Sequence, residues 1–342
     1  MSRARDIADL AGSADAGGLT GRNLIINGAM QVAQRGASST SSGYQTVDRI
    51  ATNAANTDEL AFTQSQSTTV PSGQGFANSF KVEVTTAETT LAADENFRIT
   101  YKIEAQNLQH LAYGNSSAKS LTLSFWVRSS LTGKYSVLFY QDDAVRSNTP
   151  SFTISTADTW EYKTITIDGD TGGTINDDNG AGININWVLA AGTDVAGTPH
   201  TGWGAYTATD DFAHDDQVNF IAQTGTFYLT GVQLEVGQTA TPFEHEGYGT
   251  TLEKCRRFYQ KITTTIDFHI VRNTGNSDTL RRGTLIFSPE MRASPTAAIT
   301  SDNSGGTVST LTTTASGFRS TVTANSTGQV YNIAQYTGDA EL

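Results

Sequence analysis

The strongest constraint on the fold of this chain is a change of register within one apolar segment, residues 226–236. Its apolar side chains fall on odd numbers at Phe227 and Leu229, and on even numbers from Val232 onward. A β-strand places alternate residues on opposite faces, so one extra residue at Gly231 would return all of them to one buried face. The pattern therefore predicts a strand with a β-bulge at Gly231.

Other segments repeat the period-two pattern without a break. Residues 97–103 and 121–127 each carry an apolar and a polar side, and turn-forming Gly, Asn, Ser and Asp residues separate such segments. No regular alternation of helices with strands is visible. We therefore expect an all-β chain: an antiparallel jelly-roll β-sandwich, followed by a short helix and a small C-terminal β domain.

Composition and spacing place the domain boundaries. Four regions are predicted: a short arm at 1–20, the sandwich at 21–245, a connecting helix at 246–262 and a C-terminal β domain at 263–342. The last region is small and rich in threonine, and small β domains commonly gain buried area by oligomerising. We expect it to hold an oligomer together.

Three motifs resemble a module found in bacteriophage tail-fibre and related virion appendage proteins. They are GVQLEVGQTATPFEH with LEKCRRFYQ (231–260), NLIINGAMQVAQRG with YxxVDR (23–49), and PEMRASP (289–295) with the terminal YTGDAEL. In that family the first motif closes a sandwich like that of carbohydrate-binding modules. The resemblance implies a jelly roll at 21–245 and a protein of the virion, and because fibre proteins are usually trimers, a homotrimer.

The resemblance also implies partners and a location. Arg3, Arg5, Ile7 and Leu10 in the arm are candidates for anchoring to other phage virion proteins. Since the first residues carry no apolar stretch like that of a signal peptide, we expect assembly into the virion in the host cytoplasm. No apolar run is long enough for a membrane span, so membrane insertion is not expected. A net charge of -12 without a long basic run argues against nucleic-acid binding.

Two aromatic positions are candidates for contact with a host cell-surface glycan. His200, Trp203 and Tyr206 lie in a glycine-containing loop, and Trp126 with Arg128 lies on the polar side of segment 121–127. An exposed indole or phenol ring can pack against the CH face of a sugar. The alternative is that both tryptophans pack, one under a loop and one against a neighbouring subunit, because Trp is highly buried on average.

Acidic turns are candidates for a structural Ca²⁺ site. Asp168, Asp170, Asp177 and Asp178 place carboxylates on glycine- and asparagine-containing loops. Calcium binds six to eight oxygen ligands. The simpler alternative is a pair of solvated turns, since Asp, Asn and Gly are ordinary turn residues.

Signals of catalysis are weak. The sequence has no HExxH, no Cys/His ligand cluster and no GxSxG elbow, so we name no catalytic residue. The single cysteine, Cys255, fits a buried thiol. We expect a non-enzymatic tail fibre or related appendage that contacts host glycans. The alternatives are a decoration or adaptor protein making only protein contacts, and a polysaccharide depolymerase.

Overall fold

The computed structural model describes residues 21–262, 267–271, 279–304, 306–324 and 329–342, and the chain forms two compact units. The described residues up to Tyr248, together with Leu342, form the first unit, and Gly249–Glu341 form the second. The candidate anchoring residues Arg3, Arg5, Ile7 and Leu10 lie outside the described residues. Within the described ranges, no helix is both long enough and apolar enough to cross a membrane.

The first unit is built from short strands. They are β1 (Ser38–Ser39), β2 (Ala51–Ala55), β3 (Ala61–Ser67), β4 (Ser79–Thr86), β5 (Asn96–Glu104), β6 (Leu121–Ser129), β7 (Gly133–Gln141), β8 (Arg146–Asn148), β9 (Ser151–Ile154), β10 (Glu161–Ile167), β11 (Ala181–Ala191), β12 (Gly204–Ala205) and β13 (Gly225–Val236). Two 3₁₀ helices, Ala105–Leu111 and Phe220–Ala222, and the short helix α1 (Ala208–Asp211) lie between strands.

These strands form two antiparallel sheets. The first sheet has the order β1-β3-β4-β13-β6-β10, and the second has the order β12-β8-β7-β11-β5-β2, with β9 paired to β7. Neighbouring strands in each sheet are mostly far apart in sequence, as in a sandwich whose strands alternate between layers. The expected fold class, an antiparallel jelly-roll sandwich, is confirmed.

The core of the sandwich lies where the inward faces of the two sheets meet. Phe125 of β6 packs edge-on against Phe152 of β9 and Trp187 of β11, with ring centroids 5.2 and 5.8 Å apart. Tyr135 of β7 stacks on Phe152 at 5.6 Å. All four rings are buried. This aromatic cluster joins the two sheets, because Phe125 belongs to the first sheet and its partners belong to the second.

The predicted bulge is present in β13. Its pairing with β6 shifts register between Thr230 and Gln233, and Gly231 has a φ of +60°. A Cβ atom at this position would lie 2.6 Å from the Phe76 ring, so both the backbone angle and the space favour glycine. Val232 and Leu234 are consequently buried, like Phe227 and Leu229 before the bulge.

The N-terminal motif continues the sheet where β4 ends. Strand β4 pairs with β13 only as far as Leu229. Beyond the bulge, the Val232 N–H donates to the Gly28 carbonyl at 2.9 Å, and the Asn23 amide donates to the Val232 carbonyl at 3.1 Å. The Leu24 N–H donates to the Leu234 carbonyl at 2.9 Å. Segment 23–28 therefore satisfies the backbone of β13 that β4 leaves open.

The second unit contains helix α2 and two small sheets. Its elements are α2 (Tyr248–Arg256), β14 (Tyr259–Ile262), β15 (Asp267–Val271), β16 (Thr279–Ile286), β17 (Thr296–Ser304), β18 (Gly306–Thr314), β19 (Gly317–Ala324) and β20 (Gln329–Asp339). One sheet has the order β14-β20-β15 with β17 also on β20, and the other has the order β16-β19-β18.

Helix α2 is shorter than the predicted helix at 246–262. Its last turn closes with the Phe258 N–H donating to the Cys255 carbonyl at 2.9 Å. Residues Tyr259–Ile262 then pair with β20 from Asp339 to Tyr336, a partner too distant in sequence to be seen in local spacing. Cys255 is buried, as its place on the apolar helix face predicted.

We predict that Phe125→Ala lowers the free energy of unfolding of the sandwich by about 3–5 kcal/mol, because it removes the ring that joins the sheets. Urea denaturation followed by tryptophan fluorescence measures this, since Trp126, Trp160, Trp187 and Trp203 all lie in the first unit. The matched control is Thr153→Ala, at an exposed position of β9, with an expected change below about 0.5 kcal/mol. Equal effects for both variants would contradict the assigned core.

Candidate functional site

An open groove lies on the outward face of the second sheet. In β5, the side chains of Phe97, Ile99 and Tyr101 are buried in the core. Because side chains alternate along a strand, Arg98, Thr100 and Lys102 point to the other face and line the groove. The same alternation operates in β7 and β11.

Strand register sets the groove residues side by side. Asn184 of β11 pairs with Tyr140 of β7 on one side and with Lys102 of β5 on the other. Two residues further along β11, Asn186 pairs with Leu138 of β7 on one side and with Thr100 of β5 on the other. A third row places Val188 beside Arg98, which in turn pairs with Asn53 of β2. The floor of the groove thus mixes amides, cations and apolar groups.

Two aromatic residues from the segment after β12 form one wall. The Tyr206 ring meets the Tyr140 ring edge-on with centroids 5.0 Å apart, and the Tyr206 N–H donates to the Val145 carbonyl at 3.0 Å. The guanidinium of Arg98 lies over the Phe212 ring at 5.3 Å. The groove has a volume of about 360 Å³, within the range of small-ligand sites.

The asparagines of the floor have polar atoms suited to hydroxyl groups. Asn184 donates from Nδ2 to the Asp142 carboxylate at 2.7 Å, while its Oδ1 atom has no hydrogen-bond partner. Asn186 accepts from the Thr100 hydroxyl at 2.8 Å. A buried acceptor without a partner favours a ligand that can donate a hydrogen bond.

The charged side chains that line the groove are cationic, and the acidic residue Asp142 lies directly beside it. The groove lining contains Arg98 and Lys102 and, among the described residues, no Asp or Glu. Burial lowers the pKa of Arg98, an effect that the neighbouring Tyr206 opposes. Burial likewise raises the pKa of Tyr206 and of Tyr140, so both phenols are neutral hydrogen-bonding groups at neutral pH.

Beside the groove, Asp142 contacts the lining residue Asn184. Burial raises the pKa of Asp142 to about 6, although Lys102 and the hydrogen bond from Asn184 act in the opposite direction. The carboxyl group therefore gains its negative charge between about pH 5 and 7, beside Lys102.

Of the loop residues expected to bind glycan, only Tyr206 lines the groove. Trp203 is partly buried against the sandwich core, meets Tyr113 edge-on at 5.8 Å, and donates from Nε1 to the Asp168 carbonyl at 2.8 Å. The His200 Nδ1 atom lies 2.6 Å from the Asp211 carboxylate. The structure favours packing for Trp203 and a structural contact for His200.

Trp126 and Arg128 lie on the outward face of the other sheet. Trp126 meets Tyr162 at 5.3 Å and lines an apolar pocket of about 570 Å³ together with Phe76, Phe243 and His245. Arg128 pairs with Asp158 at 3.2 Å and lies over the Tyr228 ring at 5.3 Å. These two residues are therefore separate from the groove.

The four candidate calcium ligands are not brought together. Asp170 is 1% exposed and receives two hydrogen bonds from Arg146, at 2.7 and 3.0 Å, and one from Gln141 at 2.6 Å. Asp178 accepts from the Gly180 N–H at 2.7 Å. Within the described residues, three carboxylates at metal-ligand spacing occur elsewhere in the chain, and none of Asp168, Asp170, Asp177 or Asp178 belongs to that group. The geometry makes Asp170 the counterion of Arg146.

Sequence reasoning missed most of the groove. Its residues are the polar members of the alternating segments, such as the Asn184-x-Asn186 pair, and polar members of a half-buried strand ordinarily face solvent. The sequence does show tyrosine or asparagine at the outward positions of several strands, which hints at a polar binding surface. Only the pairing register shows that these residues are neighbours.

No protein-family model and no curated protein matches this sequence. Among solved structures, the chain is similar to the enzymatically active domain of tailspike protein 4 of bacteriophage CBA120, with 14% identity and a TM-score of 0.34, over 63% of this chain and 22% of that chain. It is also similar to the family 11 carbohydrate-binding module of Clostridium thermocellum in complex with a mixed-linked tetrasaccharide, with 13% identity and a TM-score of 0.30, over 60% and 98% of the two chains. A third is the CBM22-1 xylan-binding domain of Paenibacillus barcinonensis Xyn10C, with 9% identity and a TM-score of 0.26, over 59% and 94%. Similarities this low do not indicate what this chain binds.

We predict that Asp170→Asn lowers the free energy of unfolding of the sandwich by about 3–5 kcal/mol, because it leaves the partly buried Arg146 without its counterion. The matched control is Asp177→Asn on an exposed turn, with an expected change below about 0.5 kcal/mol. Tryptophan fluorescence in urea measures both. A small effect for Asp170→Asn would show that the ion pair is not structural.

Proposed function

We propose that this chain is a non-catalytic glycan-binding protein, and that the groove on β5, β7 and β11 holds an acidic oligosaccharide. The observation that carries the proposal is one open sheet face on which Tyr140 and Tyr206 stand beside Asn184, Arg98 and Lys102. This set combines ring faces for sugar CH groups, amides for hydroxyls and cations for carboxylates.

The tyrosine pair supports a sugar ligand over a purely apolar one. Each phenol offers an apolar ring and a polar hydroxyl, and sugars have the same two kinds of surface. The unpartnered Asn184 Oδ1 atom can accept a hydroxyl hydrogen bond on the floor beneath such a ring. A wholly apolar ligand would leave that buried acceptor unsatisfied.

The two cations support an acidic sugar. No Asp or Glu of the described residues lies within ion-pair distance of Arg98, and its burial makes its charge costly to hold. A carboxylate on the ligand would supply a charge-assisted, two-point hydrogen bond to the guanidinium. Although the whole chain carries a net charge of -12, screening limits that field to about 8–10 Å at physiological salt. Within that range the Asp142 carboxylate acts on Lys102, so Arg98 is the cation that a ligand carboxylate would meet.

The absence of a carboxylate pair supports binding without hydrolysis. Most glycosidases act through two Asp or Glu residues on either side of the scissile bond. In the part of the chain that the structure describes, the groove lining contains neither residue type. A depolymerase activity would need a different site.

We predict that Tyr140→Ala and Tyr206→Ala each weaken binding to acidic polysaccharide from the host surface by about tenfold or more, which corresponds to about 1.4 kcal/mol. The reason is loss of a ring face that packs against sugar. Binding of the full-length protein is measured on an array of acidic and neutral glycans and by calorimetry. Tyr162→Ala is the matched control, because Tyr162 is 44% exposed on the other sheet and should leave affinity unchanged.

Three outcomes separate this function from its alternatives. Glycan binding that depends on Trp126 and Tyr162 instead of the groove would contradict the proposed site. If the protein binds no glycan on the array, the result would favour a decoration or adaptor protein. The aromatic pocket of Phe76, Trp126 and Phe243 would then be the contact surface. Release of reducing sugar from host envelope preparations would favour a depolymerase.

We also propose that the chain is part of a phage virion, as a tail fibre or related appendage, and that it acts as a homotrimer. The sequence motifs at 23–49 and 231–260 support this assignment. Several copies on one particle would raise a weak single-site affinity through multivalency. We predict that the chain sediments with purified particles in a density gradient and is detected there by mass spectrometry. Recovery only in the free protein fraction would contradict the assignment.

A further inference from the structure

A group of three carboxylates lies outside the groove lining, in two loops of the sandwich. Asp58 belongs to the connection between β2 and β3, and Glu88 and Glu95 belong to the connection between β4 and β5. One carboxylate oxygen from each residue lies within 4.8 Å of the other two. Chain segments about thirty residues apart thus bring three negative groups to one point.

Burial makes this arrangement costly without a partner. Glu88 is 0% exposed and Glu95 is 3% exposed, whereas Asp58 is exposed and opens the group to solvent. The Glu88 Oε2 atom accepts hydrogen bonds from the Glu59 and Leu60 N–H groups at 2.9 and 3.0 Å. Its other oxygen, Oε1, is buried and has no hydrogen-bond partner. Buried charged oxygens are ordinarily paired or bound to a metal ion.

A protein cation does not fill this role in the described part of the chain. The ion pairs there join other residues, and none includes Asp58, Glu88 or Glu95. Glu95 receives one backbone hydrogen bond, from the Ala92 N–H at 2.7 Å, which leaves capacity for a further partner. Three like charges at this spacing repel one another, and a bound cation would relieve that repulsion.

We propose that Asp58, Glu88 and Glu95 bind a hard divalent cation, with Ca²⁺ as the preferred ion. The donors are all oxygens, the ligand type that Ca²⁺ and Mg²⁺ prefer. Calcium–oxygen distances of about 2.3–2.6 Å place oxygens on opposite sides of the ion about 5 Å apart, and the three oxygens lie within that span. Water supplies the remaining ligands through the exposed side of Asp58.

The ion would link the β2–β3 and β4–β5 connections directly. Through backbone hydrogen bonds of the two glutamates, it would also stabilise the segments next to β13 and β11. The Glu88 N–H donates to the Ile221 carbonyl at 2.9 Å, just before β13, and the Glu95 carbonyl accepts from the Gly192 N–H at 2.8 Å, just after β11. Through Asp58 it would also hold the loop that leads into β3. This site is distinct from the acidic turns at Asp168–Asp170 and Asp177–Asp178, and it does not depend on the groove binding a glycan.

The test is calorimetric titration of the full-length protein with CaCl₂, and separately with MgCl₂, after treatment with a chelator. We expect one saturable calcium site and a higher thermal midpoint with calcium bound, because a ligand that binds only the folded state stabilises it. Glu88→Gln should weaken calcium affinity by about tenfold or more, since it keeps the acceptor for the two N–H groups and removes the charge. Asp58→Asn should also weaken it and cannot disturb the core, because Asp58 is exposed.

The matched controls are Asp177→Asn and Asp178→Asn, which should bind calcium like the unmodified chain. Circular dichroism confirms that each variant is folded. The proposal is overturned if millimolar calcium gives no binding, if Glu88→Gln and Asp58→Asn bind with unchanged affinity, or if only the Asp177 and Asp178 variants lose binding.

Discussion

The alternation of side chains along β5, β7 and β11 is the constraint on which the rest of the sandwich depends. Tyr101, Phe139 and Ile185 point into the core, so Lys102, Tyr140 and Asn184 must point outward. A slip of one residue in any of these strands would expose its apolar face and turn charged or amide groups inward. The same packing that stabilises the sandwich therefore fixes the floor of the groove, and the groove needs no separate scaffold.

The residues that carry the phage-protein resemblance are largely structural. Asn23, Gly28 and Gly231 complete the backbone hydrogen bonding around the bulge of β13. Arg49 of the YxxVDR motif is buried, donates to the Lys102 carbonyl at 2.5 Å and lies over the Tyr101 ring. These motifs consequently reflect how the sandwich is hydrogen-bonded and packed. They carry little information about a ligand, since the groove residues proposed to bind it lie outside the motifs.

Local patterns in the sequence predicted the all-β fold, the bulge at Gly231 and the buried Cys255, because each depends on neighbouring residues only. They did not predict the groove, whose floor joins Arg98, Tyr140 and Asn184 through pairing between strand residues 44 to 90 positions apart. The prediction of calcium ligands in the acidic turns failed for the same reason. Local sequence suggested that Asp170 binds a cation, whereas the fold places Arg146 against it. The three-carboxylate group of Asp58, Glu88 and Glu95 was equally hidden, since two loops must meet to form it.

The central claim is that the outward face of β5, β7 and β11 binds an acidic glycan. The most direct test is a nuclear magnetic resonance titration of the full-length protein with oligosaccharides released from the host surface polysaccharide. We predict saturable shifts of the side-chain amide signals of Asn184 and Asn186, with the Gln74 amide in the other pocket unaffected. Binding that shifts the Gln74 amide and the Trp126 indole while leaving Asn184 and Asn186 unchanged would contradict the account.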